Sequence, residues 1–322
     1  MKNIFKFLLI VFIVFTWQKT ESFANIKVGL VLSTGGLGDK SFNDSAYRGL
    51  EMAKKDLGID FKYVEPKSSL EDEEFLREYA DAEYDFIIGV GFPMKDAVEN
   101  VARDYPEIKF AMIDNTTNEK NIKNLLFKEN EGSFLMGALA AMMSKNHVIG
   151  FVGGIDMPLI NKFKNGYEQG AKYINPNIKI LSAYIGGTTA FNDPLKANEM
   201  ATLQIKQGAD VLYHAAGGSG LGVLEAAKDN NIYAIGVDSD QDDFIKGTVL
   251  TSMMKNVDIA VYNTVKSILN NEFQGGDSYY GLSENGVGTT DFRNTKEIIG
   301  DENLKKLEVI IEKIKLNEII IK

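Results

Sequence analysis

No cysteine occurs among the 322 residues. That absence excludes disulfides and thiolate nucleophiles, so stability must come from the hydrophobic core. Histidine is scarce as well, with only His147 and His214. His147 follows an amphipathic helix and reads as a surface residue. His214 interrupts an apolar strand and reads as a satisfied core or rim residue. No cluster of His, Asp and Glu stands at metal-ligand spacing, and no cofactor is implied. Proline numbers six, and no Pro/Gly linker divides the chain. Basic charge is outnumbered, with 35 Lys and Arg against 45 Asp and Glu and a net charge of −10. This balance argues against nucleic acid and anionic membranes as partners.

Long apolar runs are missing beyond the N-terminus. There, residues 1–24, MKNIFKFLLIVFIVFTWQKTESFA, place Lys2 and Lys6 before an apolar run from Phe7 to Trp17. Ser22 and Ala24 then occupy the two positions that a signal peptidase reads. The pattern predicts a secretory signal peptide. The run is shorter than the ~20 residues of a membrane-spanning helix, and an uncleaved anchor is the alternative. With no cysteine to carry a lipid at the cleavage site, the expected mature protein is soluble and periplasmic, and it is expected to be a monomer.

What is present is an alternation of strand and helix. IKVGLVLS (26–33) is an apolar, β-branched run, and Ala46, Leu50, Ala53 and Leu57 then recur at helical spacing. FKYVEP (61–66), YDFIIGVG (84–91) and IKFAMID (108–114) read as strands, with helices over 70–82 and 94–105. The pattern restarts with an apolar helix over 131–145. Strands are expected at 148–154, 178–186, 209–218 and 232–240, separated by helices over 159–174, 194–207 and LGVLEAAKDN (221–230). TVLTSMMK (248–255), a helix over 257–271, the stretch GGDSYYGLSENGVGTTDF and a last helix over 303–315 complete the chain. Continuous apolar runs ending in Gly or Asp imply parallel sheets covered on both faces, an α/β protein of two similar units.

In such sheets ligands bind beyond the carboxyl ends of the strands. The residues there include Ser33, Thr34, Asp39, Ser41, Phe42 and Asn43 after the first strand, then Asp114, Phe191, the glycine run from Gly217, Asp238 and Lys255. They suit a small polar ligand with a flat face and hydroxyls. VLSTGGLGDKSFND (31–44) resembles a phosphate loop but puts Asp39 where the glycine before the lysine belongs. A carboxylate there repels phosphate. A nucleophile elbow around Ser219 fails because Leu221 replaces its second glycine. DSDQDD (238–243) lacks the glycine and distal Glu of a calcium loop and reads as a polar turn. No catalytic set emerges, and no enzyme activity is expected.

The segments VGLVLSTGGLGDKSFNDSAYRGL, FAMIDN, VIGFVGG with FKNGYEQGA, FNDPLKA, AAGGSGLGVLEAAK, IGVDSDQ and TSMMKNVDIAVY occur in that order. Together they resemble the basic membrane protein family of substrate-binding proteins, whose best-understood members are purine-nucleoside receptors of ABC importers. The resemblance implies a type I periplasmic-binding-protein fold: two Rossmann-like lobes with parallel sheets, three crossovers and a ligand cleft between the lobes. Lobe one would be 25–130 plus 256–280, and lobe two 131–255 plus 281–322. By the same resemblance Phe42 and Phe191 sandwich a purine and Asp238 accepts from ribose hydroxyls. Lys255 donates to the nucleoside, with Asp114, Asn43 and Gly217 around it. Partners would be a purine nucleoside and the permease and ATPase of an ABC importer. The alternative keeps the fold and binds a sugar or other small polar ligand for uptake or sensing. Many family members carry an Asp nine residues before the stacking Phe, where it accepts from the base; here Ser33 stands in that place.

Overall fold

The computed structural model describes residues 26–322. The leader expected over residues 1–24 lies outside the described residues. The first run of elements is β1 (Lys27–Val31), α1 (Phe42–Leu57), β2 (Asp60–Val64), α2 (Asp72–Asp81), β3 (Phe86–Val90), α3 (Lys95–Asp104), β4 (Lys109–Ile113) and β5 (Ile122–Phe127). The second is α4 (Glu129–Met143), β6 (Val148–Gly153), α5 (Pro158–Ile174), β7 (Lys179–Tyr184), α6 (Pro194–Lys206), β8 (Val211–Ala215), α7 (Gly220–Asp229), β9 (Tyr233–Asp238) and β10 (Val249–Lys255). The chain closes with α8 (Val257–Leu269), β11 (Gly276–Tyr280), β12 (Val287–Gly288), α9 (Lys296–Ile299) and α10 (Asp301–Lys315).

The strands form two six-stranded sheets of matching order, β11-β5-β4-β3-β1-β2 and β12-β10-β9-β8-β6-β7. Every pairing is parallel except β12 against β10. The chain passes from one sheet to the other three times, after β5, after β10 and after β11. This is the α/β architecture expected of the sequence. The central strands β3 and β8 are buried at every position, which explains the apolar run of β3 and that of β8 apart from His214.

β5, β11 and β12 have no counterpart among the expected strands. β5 carries Lys123 and Asn124 inside its run, and the fully buried Asn124 satisfies its amide on Thr117 and Asp277. β11 is an edge strand, half exposed and polar. Neither shows the apolar run or the clean alternation that marks a strand in sequence.

Helix α4 is apolar on nearly all sides because it is enclosed between the second sheet, α5 and α10. Its approach to α5 is close enough to require glycine. A Cβ on Gly137 would stand 1.9 Å from the Tyr167 carbonyl oxygen, and one on Gly170 1.9 Å from that of Phe134. Among the described residues no helix is long and apolar enough to cross a membrane.

Candidate functional site

The turn after β1 is organised by Asp39. Its carboxylate accepts from the backbone amides of Ser41 (2.8 Å), Asn43 (2.8 Å) and Asp44 (3.2 Å), and from the Asn43 side chain (3.1 Å). It therefore caps the start of α1 and places negative charge at the helix's positive end. The amides that a phosphate would use are occupied. Burial pushes the Asp39 carboxyl up, against these three amide bonds. Asn43 in turn accepts from both the amide and the hydroxyl of Ser33, at 3.0 Å each. Phe42, the first residue of α1, is half-buried beside Gly91.

Two carboxylates face this turn from strand ends. Asp114 follows β4 and Asp238 ends β9, and both adopt left-handed backbone conformations, with φ of 70° and 63°. Asp tolerates this region better than most residues, and such conformations concentrate at ligand sites. Asp238 Oδ2 accepts from the Ser41 hydroxyl at 2.5 Å. Its Oδ1 takes no hydrogen bond from the described residues. Asp114 Oδ1 is likewise buried without a partner.

Between them lies Lys255, the last residue of β10, with a side chain only 1% exposed. Its ammonium stands 2.6 Å from Asp114 and 3.0 Å from Glu129, which opens α4. It also lies 5.0, 5.1 and 5.6 Å from the ring centres of Phe42, Phe127 and Phe163. Burial alone would lower the Lys255 pKa, but Asp114, Glu129 and Asp238 outweigh it and hold the amine above its usual range. Lys255 is thus a fixed cation. Burial pushes the Asp114 and Asp238 carboxyls up to about 6, against the pull of Lys255.

One cavity of about 730 Å3, measured out to its mouth, collects these groups. Its wall contains Ser33, Phe42, Asn43, Asp114, Phe191, Gly217, Asp238 and Lys255, together with Thr34 and Asp39, while Ser41 lies outside it. Phe191 reaches it because residue 154 is glycine; a Cβ there would meet the Phe191 ring at 2.3 Å. Gly217, with φ of 52°, backs the same phenylalanine.

Sequence reasoning missed Glu129, Phe92 and Phe163. Glu129 escaped because β5, the strand before it, was not legible. Phe163 sits within an amphipathic helix, where its spacing signals core. Gly91 and Phe92 follow β3 directly, and that strand-end position was the signal available.

The groups offer flat apolar faces, two unfilled carboxylate oxygens and a fixed ammonium. They hold no nucleophile with a base beside it. His214 is buried, with Nε2 3.2 Å from Gln241 Oε1, and burial lowers its pKa to about 4. It is a neutral core group outside the cavity wall. Among the described residues no group of His, Asp and Glu could hold a metal ion.

The family model described as ABC transporter substrate-binding protein, PnrA-like, matches residues 26–322. Among curated proteins, an uncharacterised lipoprotein of Pyrococcus abyssi is 38% identical over 298 residues, covering 88% of this chain and 73% of the relative. Basic membrane protein A2 of Borrelia garinii subsp. bavariensis is 37% identical over 304 residues, covering 90% and 87%. Among solved structures, an ABC transporter solute-binding protein from Aeropyrum pernix K1 superposes with a TM-score of 0.84 at 30% identity, covering 92% of each chain.

Proposed function

This chain belongs to the family of PnrA-like ABC transporter substrate-binding proteins, and we propose that its ligand is a purine nucleoside. It is a substrate-binding protein, not an enzyme, and its role implies membrane permease and ATPase partners. The observation that carries the nucleoside reading is one cavity wall. There Phe42 and Phe191 come from elements of opposite sheets, and Asp238 keeps one carboxylate oxygen unfilled. A purine between the rings gains roughly 1–3 kcal/mol for each stacked face. Asp238 then accepts from ribose hydroxyls, and Lys255 donates.

The lobes of this reading are residues 25–130 plus 256–280, and 131–255 plus 281–322, closing on the ligand as one monomer. The proposed location is the periplasm, resting on the secretory leader read from residues 1–24. The occupied helix start at Asp39 supports an unphosphorylated ligand.

Titration calorimetry of the purified protein with adenosine, guanosine, inosine and uridine tests this. Saturable heat with the purine nucleosides, and less with uridine, is expected. Heat only with D-ribose or a hexose would move the ligand to the sugars, and no heat with any nucleoside from folded protein overturns the proposal.

A further inference from the structure

The turn that Asp39 braces also touches the other half of the molecule. Lys40 is held at a left-handed φ of 54°, and its carbonyl accepts from Gln241 Nε2 at 3.1 Å. The Ser41 carbonyl accepts from Ser239 Oγ at 2.8 Å. In the opposite direction, the Ser41 hydroxyl donates to Asp238 Oδ2 at 2.5 Å. Arg48 of α1 adds a bond to Ser239 Oγ at 3.3 Å while its Nε holds Asp258 of α8 at 2.9 Å. Ser41 and Gln241 are fully buried, and Ser239 nearly so.

These bonds join the segment after β1, in the first sheet, to the segment after β9, in the second. Both partners are prepared on their own sides. Asp39 fixes the turn through the amides of residues 41, 43 and 44. On the far side Gln241 Oε1 accepts from the Val237 amide at 3.1 Å, and its backbone amide donates to Ser252. Neutral His214, donating from Nε2 to the same Oε1, fixes the side-chain amide so that Nε2 points at Lys40. Every one of these cross-sheet bonds is lost if the two sheets separate, because each has one end on either side. The Asp238 carboxylate is the shared member, with Oδ2 on Ser41 and Oδ1 left for a ligand.

We propose that residues 39–41 and 238–241 form a latch between the two lobes, and that Ser41 is a positioning residue that sets the Asp238 carboxylate for its ligand. The latch rests on the cleft reading above for its ligand, though the contacts stand without it. A ligand on Oδ1 finds the carboxylate already oriented by a residue of the opposite lobe, so occupancy and closure reinforce each other. Loss of the Ser41 hydroxyl removes a hydrogen bond to a charged acceptor and weakens the closed state. The ligand then leaves faster, while encounter with the open cleft is unchanged.

The test uses Ser41→Ala with stopped-flow binding of adenosine and inosine. Spin-label distances are measured in parallel between Lys55→Cys on α1 and Lys228→Cys on α7. Both sites are exposed, and the chain has no native cysteine to interfere. Dissociation about tenfold faster, an unchanged association rate and a shift to longer distances are expected. Dissociation and distances equal to those of the unmodified protein overturn the latch. If neither nucleoside binds, the distances alone decide: longer ones in Ser41→Ala keep the latch while the nucleoside reading falls, and unchanged ones overturn it. Should Ser41→Ala fail to fold, Ser239→Ala removes two cross-lobe bonds, the one to the Ser41 carbonyl and the one from Arg48, with little change in packing. Dissociation about threefold faster supports the latch there, and an unchanged rate with unchanged distances overturns it.

Discussion

At the end of β4 stands Asp114, and at the equivalent place in the other sheet, the end of β9, stands Asp238. The two share a left-handed backbone, a buried carboxylate and a pKa raised by burial to about 6. One strand further along, the resemblance stops. β5 ends in Phe127, with Glu129 opening the next helix, whereas β10 ends in Lys255, with Val257 opening its helix. The second sheet thus carries the cation; one neutralising carboxylate, Asp114, follows a first-sheet strand, and the other, Glu129, opens α4, which packs on the second sheet. Matching backbones have been furnished with complementary side chains, and the Lys255–Asp114 pair forms only when the halves are together. The cross-lobe bonds of Ser41, Ser239 and Gln241 obey the same logic.

The largest expected effect breaks that complementarity. Lys255→Met leaves Asp114 and Glu129 buried, with only half-exposed Lys162 at 3.4 Å from Glu129. Removing one partner of a buried pair costs about 3–5 kcal/mol, to be read from urea unfolding at pH 7. The loss should shrink on acidification, because without Lys255 the Asp114 carboxyl takes up its proton more readily than in the parent. An unfolding midpoint indistinguishable from that of the parent would show that the lobes do not depend on this charge.

The two aromatic walls come next. Phe42→Ala and Phe191→Ala should each weaken nucleoside binding by roughly 1–3 kcal/mol, with little effect on a sugar without a base. The effects should be unequal. Phe42 also lies under Lys255, at 5.0 Å, and among the described residues no Lys or Arg stands over Phe191, so the first-lobe ring should matter more. Equal losses in calorimetry would contradict the assignment of Lys255 to the first-lobe face.

A smaller effect separates the paired carboxylates by pH. A ligand whose hydroxyls donate to Asp238 needs the charged form. Affinity should therefore be flat above pH 7 and fall, by at most about tenfold per unit, as pH drops through 6. Stability runs the opposite way. The folded protein keeps protons on these carboxyls that the unfolded chain, with a value near 3.8, has released, so this contribution is lost as pH rises between the two values. Asp238→Asn should flatten the binding profile and Asp114→Asn should leave it sloping. The reverse outcome would exchange the roles of the two lobes.

Much of this comparison was legible in the sequence because the strands concerned are central and apolar. β1, β3, β4, β8, β9 and β10 announce themselves as runs, and their ends carry the polar residues of the cavity wall. What was hidden lies where local signal and tertiary role diverge. Asn124 and Lys123 interrupt β5, and with that strand obscured Glu129 could not be recognised as the partner of Lys255. Asp39 was legible as a residue incompatible with phosphate, but its work as the cap of α1 depends on φ and ψ angles that no spacing rule reveals. Gly154 reads as one glycine among 30 until the Phe191 ring is seen against it.

Ser33 gives the finest test of the asymmetry between the lobes. It follows β1, and the corresponding turn after β6, residues 154–157, adds no residue to the cavity wall. Only the first lobe therefore presents a side-chain hydroxyl at this level of the cavity. That hydroxyl donates to Asn43 Oδ1, and the Asn43 amide nitrogen is turned toward Asp39. Ser33 consequently shows a ligand its lone pairs alone, without charge. In Ser33→Asp the new carboxylate cannot donate to Asn43 Oδ1. Flipping Asn43 to accommodate it would set the amide oxygen against Asp39. The carboxylate must turn into the cavity, where it favours a base edge with two adjacent donors. Guanine supplies N1–H and the N2 amino group there, while adenine lacks the ring donor. The preference for guanosine over adenosine should rise by about threefold to tenfold in competition calorimetry, the scale of one added net hydrogen bond. An unchanged ratio would show that the first-lobe turn does not read the base, and that any selectivity comes from the second lobe.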